Sequence, residues 1–177
     1  MKKRKKEKKN LFNVFIRYVI LACLSISNLW IFYFIFTPLT LYVVYFLLHL
    51  VYSQISLVSN IILVSGNFPI EIIGACVAGS AYYLLLILNL SIPNVKIIDR
   101  AKLILFSFLS LFLVNVLRIF ILSIIYVNGV SWFDTAHILF WYLGSIVFVV
   151  GIWFLGIKLF RIKGIPFYSD LKYIFKN

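Results

Sequence analysis

Three side chains in this sequence could do chemistry together: Cys76, Arg118 and His137. A cysteine attacks as its thiolate, and a neighbouring cation lowers the thiol pKa where apolar surroundings alone would raise it. An imidazole can take the thiol proton and return one to a leaving amine. A guanidinium can hold the charge that develops on a carbonyl oxygen in a site with little water. Together they are the parts of a nucleophilic acyl-transfer site, if the fold brings them to one place. Arg118 stands in Asn115-Val116-Leu117-Arg118-Ile119, inside a long hydrophobic run. An arginine there costs on the order of 2.5–3.5 kcal/mol on insertion scales, so it needs a partner or a task. Asn115, three residues earlier, shares its helix face. Asp134 precedes His137 by the same spacing, which lets it orient the imidazole or cap the helix. Cys76 lies among small residues, Gly74-Ala75-Cys76-Val77-Ala78-Gly79-Ser80, against which a neighbouring helix can pack closely.

Taken singly, each of these residues has a plainer reading. Arg118 could snorkel to a lipid phosphate, His137 could sit at a membrane interface, and Cys76 could be a small packing residue. His49 has only Ser53 at helical spacing and reads as interfacial. Cys23 follows Ile20-Leu21-Ala22, a faint likeness to a lipoprotein cleavage box, but the apolar run continues past it and a signal anchor with a packing cysteine fits better.

The elements that must position these residues follow from composition. Of 177 residues, 64% are apolar and only 12% charged, far beyond what the core of a soluble domain uses. The expected fold class is an all-α polytopic membrane protein. Three segments approach the ~20 residues a bilayer core requires: Ile72–Ile92, ended by Pro93-Asn94; Leu103–Tyr126, ended by Asn128-Gly129; and Thr135–Ile157, with Asp134 as N-cap. A fourth, Val14–Phe36, is closed by Thr37-Pro38. Charge sets the sides. Seven basic residues lie in Met1–Asn10, three in Lys96–Lys102 and five from Lys158 onward, which assigns all three flanks to the cytoplasm. Pro38 and Glu71 must then share the outer side. Leu39–Tyr52 is too short for a crossing and reads as a re-entrant or interfacial helix. Ile61–Val64 and Phe68–Ile73, around Ser65-Gly66-Asn67, read as an outer-face β-hairpin before the Cys helix. The alternative is an ordinary second span, giving five crossings. The chain divides into a basic cytoplasmic segment 1–13, one transmembrane domain 14–158 and a basic cytoplasmic tail 159–177. On this topology Cys76, Arg118 and His137 come from three helices and reach the same depth, near the outer face of the cell membrane.

The clustering of charge in flanks argues against nucleic-acid binding, which needs a basic face on a folded surface. The two cysteines have no metal-ligand spacing, and no nucleotide motif is present. No cofactor is expected, and the oligomeric state is open.

At these residues the chain resembles the exosortase/archaeosortase family of membrane transpeptidases. The resemblance covers roughly Pro38 to Trp153. Asn115-Val116-Leu117-Arg118-Ile119 is similar to the family's Asn-x-x-Arg-Ile helix, and Ala75-Cys76 to its Ala-Cys nucleophile. His137 matches its third residue, Glu71 a Glu often found five residues before the Cys, and Pro38-Leu39 the Pro-Leu that opens the preceding segment. The chain departs from the pattern at Val77-Ala78, at Gly74 and at Ile138, and its length and Cys context resemble a short archaeal member. The resemblance implies a cysteine transpeptidase or peptidase with Cys76, Arg118 and His137 as catalytic residues and Asn115, Asp134 and Glu71 in support. It implies secreted protein substrates bearing a C-terminal motif, a transmembrane helix and a basic tail, cleaved on the outer side, with a membrane lipid amine as an acceptor. The competing expectation is a non-catalytic transporter or assembly subunit whose Arg118 binds lipid or an anionic ligand.

Overall fold

The computed structural model describes residues 15–19, 21–23, 29–92, 95–140 and 145–162. The basic segment 1–13, Pro93-Asn94, Gly144 and the tail beyond Ile162 lie outside the described residues. The chain is mostly helical with one small sheet. In chain order it comprises α1 (the helical residues 15–19 and 21–23), α2 (Trp30–His49), β1 (Ile55–Val58), β2 (Ile61–Val64) and β3 (Phe68–Glu71). These are followed by α3 (Gly74–Val77), α4 (Gly79–Leu90), α5 (Ile97–Val127), α6 (Phe133–Leu139) and α7 (Ser145–Leu159).

Among the described residues two helices, α2 and α5, are long and apolar enough to cross a bilayer, and Gly74–Leu90 and Ile146–Leu159 are shorter apolar stretches. At 31 residues α5 spans about 46 Å. It is the central post, touching α2, α3, α4, α6 and α7. It is also apolar on both sides: Leu103, Leu111, Phe112, Val116, Ile119 and Leu122 are buried, while Leu105, Leu109, Leu113, Leu117 and Ile121 form an exposed stripe at four-residue spacing. A helix of a soluble protein would carry polar residues on that outward stripe. The core is aromatic where α2, α4 and α5 meet. Phe36 stacks on the buried Tyr82 with centroids 3.9 Å apart, and Phe108 meets Tyr82 edge-on at 5.4 Å.

Several expectations are corrected or extended by the structure. The expected break at Thr37-Pro38 does not occur: α2 runs unbroken through Pro38. Proline forfeits one helical hydrogen bond, but Phe32 on one side and Leu41, Val44 and Leu48 on the other join the same core and hold the helix together across it. Leu39–Tyr52 is therefore not a separate re-entrant or interfacial helix, since its residues to His49 are the second half of α2.

The hairpin is a three-stranded antiparallel sheet of order β1-β2-β3. The expected pair is β2 and β3, with Ile62 opposite Ile70. The additional strand β1 pairs with β2 through the two-residue turn Ser59-Asn60, where Ser59 has φ 56°, as tight hairpin turns demand. The Cys segment is not one helix: α3 ends at Ala78, in the left-handed conformation (φ 59°, ψ 44°), and α4 begins at Gly79. Asp134 does not cap the last helical segment; it lies in the first turn of α6, whose N-cap is Trp132 without a side-chain bond.

The bundle has two chemically distinct ends. At the C-terminal end of α4, Arg100 donates to the carbonyls of Asn89, Leu90 and Ile92 at 2.6–2.8 Å, and Arg17 from α1 donates to Leu90 O at 2.6 Å. Both guanidiniums thus cap carbonyls that the helix leaves unsatisfied. The sheet, Cys76 and the C-terminus of α5 lie at the other end: Phe68 of β3 meets Tyr126 edge-on at 6.0 Å. The 12 residues of α4 alone separate the two ends by about 18 Å.

Candidate functional site

The site is built around the interruption at Ala78. Ending a helix after one turn strips carbonyls of their usual partners, and here side chains of α5 replace them. Asn115 Nδ2 donates to Cys76 O at 2.7 Å and lies 3.5 Å from Val77 O. Arg118, one turn further along the same face, donates through a guanidinium nitrogen to Cys76 O at 3.3 Å. The Asn-x-x-Arg spacing is thus read out twice on the peptide that carries the thiol. From the other side Tyr33 of α2 lies against Gly74 and Gly79, the residues that bracket α3 and the break. A Cβ built on Gly79 would come within 2.7 Å of the Tyr33 ring, so only glycine fits this turn without displacement.

The Cys76 thiol is half-buried and lies 4.0 Å from Glu71 O, at the end of β3. It opens into a cavity of about 300 Å³. Residues 69–73, Ala75 and Cys76 form one wall, Arg118, Ile119, Leu122, Ser123 and Tyr126 of α5 a second, and Phe133, His137 and Phe140 a third. Cys76, Arg118 and His137, from α3, α5 and α6, therefore share one predominantly apolar pocket. Glu71 lines it too, at the exposed end of β3. Asn115 is buried and does not line the pocket; it holds the Cys76 and Val77 carbonyls. Asp134 is exposed and does not line the pocket; it lies one helical turn before His137 on α6. Among the described residues no group of three or more His, Cys, Asp or Glu is arranged to hold a metal ion.

His137 is positioned by aromatic packing that the sequence reading missed. Its ring stacks on Phe133 (5.7 Å, 13°), Phe133 packs on Tyr126 (5.3 Å) and Tyr126 meets Phe68 (6.0 Å). A ladder of rings thus runs from β3 across α5 to the imidazole. The i, i+4 spacing of Phe133 and His137 carried part of this signal; the contacts to Tyr126 and Phe68 had none. No known protein family, curated protein or solved structure matches the chain.

Proposed function

We propose that this chain is a membrane-embedded cysteine transpeptidase of the exosortase/archaeosortase type. In this reading it cleaves a C-terminal sorting signal on secreted proteins and transfers the new carboxyl terminus to an amine, which a membrane lipid can supply. The observation that carries the reading is the convergence of Cys76, Arg118 and His137, borne on three helices, in one apolar pocket.

In the proposed reaction His137 takes the Cys76 proton and the sulfur attacks the scissile carbonyl. Arg118 faces the oxyanion. Collapse breaks the carbon–nitrogen bond, His137 returns the proton to the departing amine, and a thioester remains on Cys76. An acceptor amine then attacks the thioester, giving up a proton to His137, and the thiol is released. An apolar pocket favours transfer over hydrolysis because it limits water at the thioester.

The topology that goes with this reading has four crossings: α2 outward, α3–α4 inward, α5 outward and α6–α7 inward. The continuity of α2 supports it, since the first crossing then leads straight into the sheet and no re-entrant segment is required. Arg17 and Arg100 at the end of the bundle remote from Cys76 fit a cytoplasmic basic end and a site near the outer face, with both termini inside. The exposed apolar stripe of α5 fits contact with lipid. Arg118 spends a donor on the backbone of Cys76, which favours a site-building role over the alternative of a lipid or anion binder in a transporter or assembly subunit.

Co-expression with a reporter bearing a C-terminal motif, transmembrane helix and basic tail tests the proposal. Cys76→Ala and Cys76→Ser should leave the reporter uncleaved while the protein inserts at wild-type levels. Processing retained in both variants would rule out the nucleophile.

A further inference from the structure

We infer that the free edge of β3 is a docking rail on which an extended peptide pairs as a fourth strand and is delivered to Cys76; this deepens the proposed function and rests on its acyl-transfer reading. Main-chain groups along a strand point alternately to its two sides. Ile72 N–H donates to Asn60 O at 2.9 Å, toward the β2 side. Phe68 and Ile70, opposite Val64 and Ile62, therefore also direct their main-chain groups at β2, and Pro69 and Glu71 direct theirs away. The position of the thiol agrees independently, because Glu71 O faces Cys76 Sγ at 4.0 Å.

Among the described residues no strand pairs with β3 on that side, since the sheet order is β1-β2-β3. Pro69 and Glu71 line the cavity that holds Cys76, Arg118 and His137. The outward edge thus presents one acceptor, Pro69 O, then the donor and acceptor of Glu71. That pattern is matched by the backbone of an extended polypeptide: one peptide residue exchanges two hydrogen bonds with Glu71, and another two places along donates to Pro69 O. Pro69 has no N–H to offer. The rail therefore stops after one full pair, which keeps the edge from templating unlimited strand addition. Main-chain pairing supplies affinity without side-chain identity, and alternate peptide side chains face the pocket walls. A strand held on Glu71 lies alongside the carbonyl that faces the thiol at 4.0 Å, so docking and presentation of a carbonyl to sulfur are the same event.

The test measures protection of Cys76 from alkylation by a small maleimide, in full-length protein carrying Cys23→Ala so that Cys76 alone reports. The probes are N-acetyl hexapeptide aldehydes of apolar sequence containing Pro or Gly, and twins N-methylated at one amide each. Sulfur adds to the aldehyde carbon and the thiol proton passes to its oxygen, giving a reversible adduct. Wild-type protein should be protected. N-methylation should weaken protection roughly tenfold at the two amides, two residues apart, that donate to Glu71 O and Pro69 O, and much less at the amide between them, since each affected position loses one buried hydrogen bond. Glu71→Pro, which removes the outward N–H, should lose protection by a similar factor when each variant is normalised to its own peptide-free rate. Protection with no alternation along the peptide, or none at all, overturns the rail. Peptide protection with alternation but no processing of the tailed reporter keeps the rail and removes the sorting reading. A processed reporter with no peptide protection does the reverse.

Discussion

Gly79 offers a perturbation whose magnitude can be worked from the structure. A Cβ there would lie 2.7 Å from Tyr33 Cζ, 2.8 Å from Cε1 and 3.0 Å from Oη. Ordinary contact begins near 3.4 Å, so the ring or the α3–α4 break must move by more than half an ångström. Overpacking of this kind costs about 1–3 kcal/mol, and the better helix propensity of alanine returns at most about 1 kcal/mol. Gly79→Ala should therefore destabilise by ~1–2 kcal/mol, which for a chain of this size lowers Tm by roughly 2–4 °C per kcal/mol. It should also slow processing, because the break carries the Cys76 carbonyl that Asn115 and Arg118 hold. Tyr33→Leu shortens the opposing side chain, and the double variant should recover on the order of 1 kcal/mol beyond additivity. Gly151→Ala is the control: it sits within α7 with nothing within 4 Å of the added Cβ, and Tm should hold or rise. The assay is thermal unfolding in mild detergent, with reporter processing measured on the same variants. Equal Tm shifts for Gly79→Ala and Gly151→Ala, or no coupling to Tyr33, would refute the close-packing argument.

Three further outcomes follow from the site. Asn115→Leu keeps the volume but removes the amide that serves Cys76 O and Val77 O, leaving Cys76 O to Arg118 alone, and should cost about 1–3 kcal/mol in stability; a thermal midpoint equal to wild type would show that the amide contributes nothing to the break. Arg118→Lys retains the charge but loses the planar fork that reaches Cys76 O while facing the pocket, and reporter cleavage should fall by at least ~100-fold with insertion unchanged. Wild-type turnover would reduce Arg118 to a simple charge. His137→Ala should slow acylation by roughly 100-fold or more, measured as single-turnover cleavage, with little change in Tm; an unaltered rate would assign the base elsewhere.

The site was more legible in the sequence than the elements that carry it. Cys76, Arg118 and His137 stand out because an apolar background leaves few residues able to do chemistry, and a charge in such a run demands a purpose. Asn115 was legible through its helical spacing from Arg118, but its partner, the Cys76 backbone, was not. The break at Ala78 was not legible, because nothing in Val77-Ala78-Gly79 marks a non-glycine residue for the left-handed region; it arises from tertiary contacts with Asn115 and Tyr33. Pro38 misled in the opposite direction, since its local cost is outweighed by core packing on both sides. The β2–β3 hairpin was readable from Ser65-Gly66-Asn67, where Ser65 and Gly66 both take positive φ. β1 carried a weaker signal: only Ile55-Ser56-Leu57 alternates, with its apolar residues partly buried. The aromatic setting of the imidazole was only half legible: Phe133 lies one turn before His137 on the same short helix, but its contact to Tyr126 is tertiary.

The most direct measurement is a search for the covalent intermediate. Wild-type protein incubated with the tailed reporter, quenched in acid and digested, should yield by mass spectrometry a peptide containing Cys76 joined to the reporter's new carboxyl terminus. The adduct should be released by neutral hydroxylamine, as a thioester is, and should be absent from Cys76→Ala. Reporter cleavage proceeding with no adduct on Cys76, or an adduct on any other residue, would contradict the account at its centre.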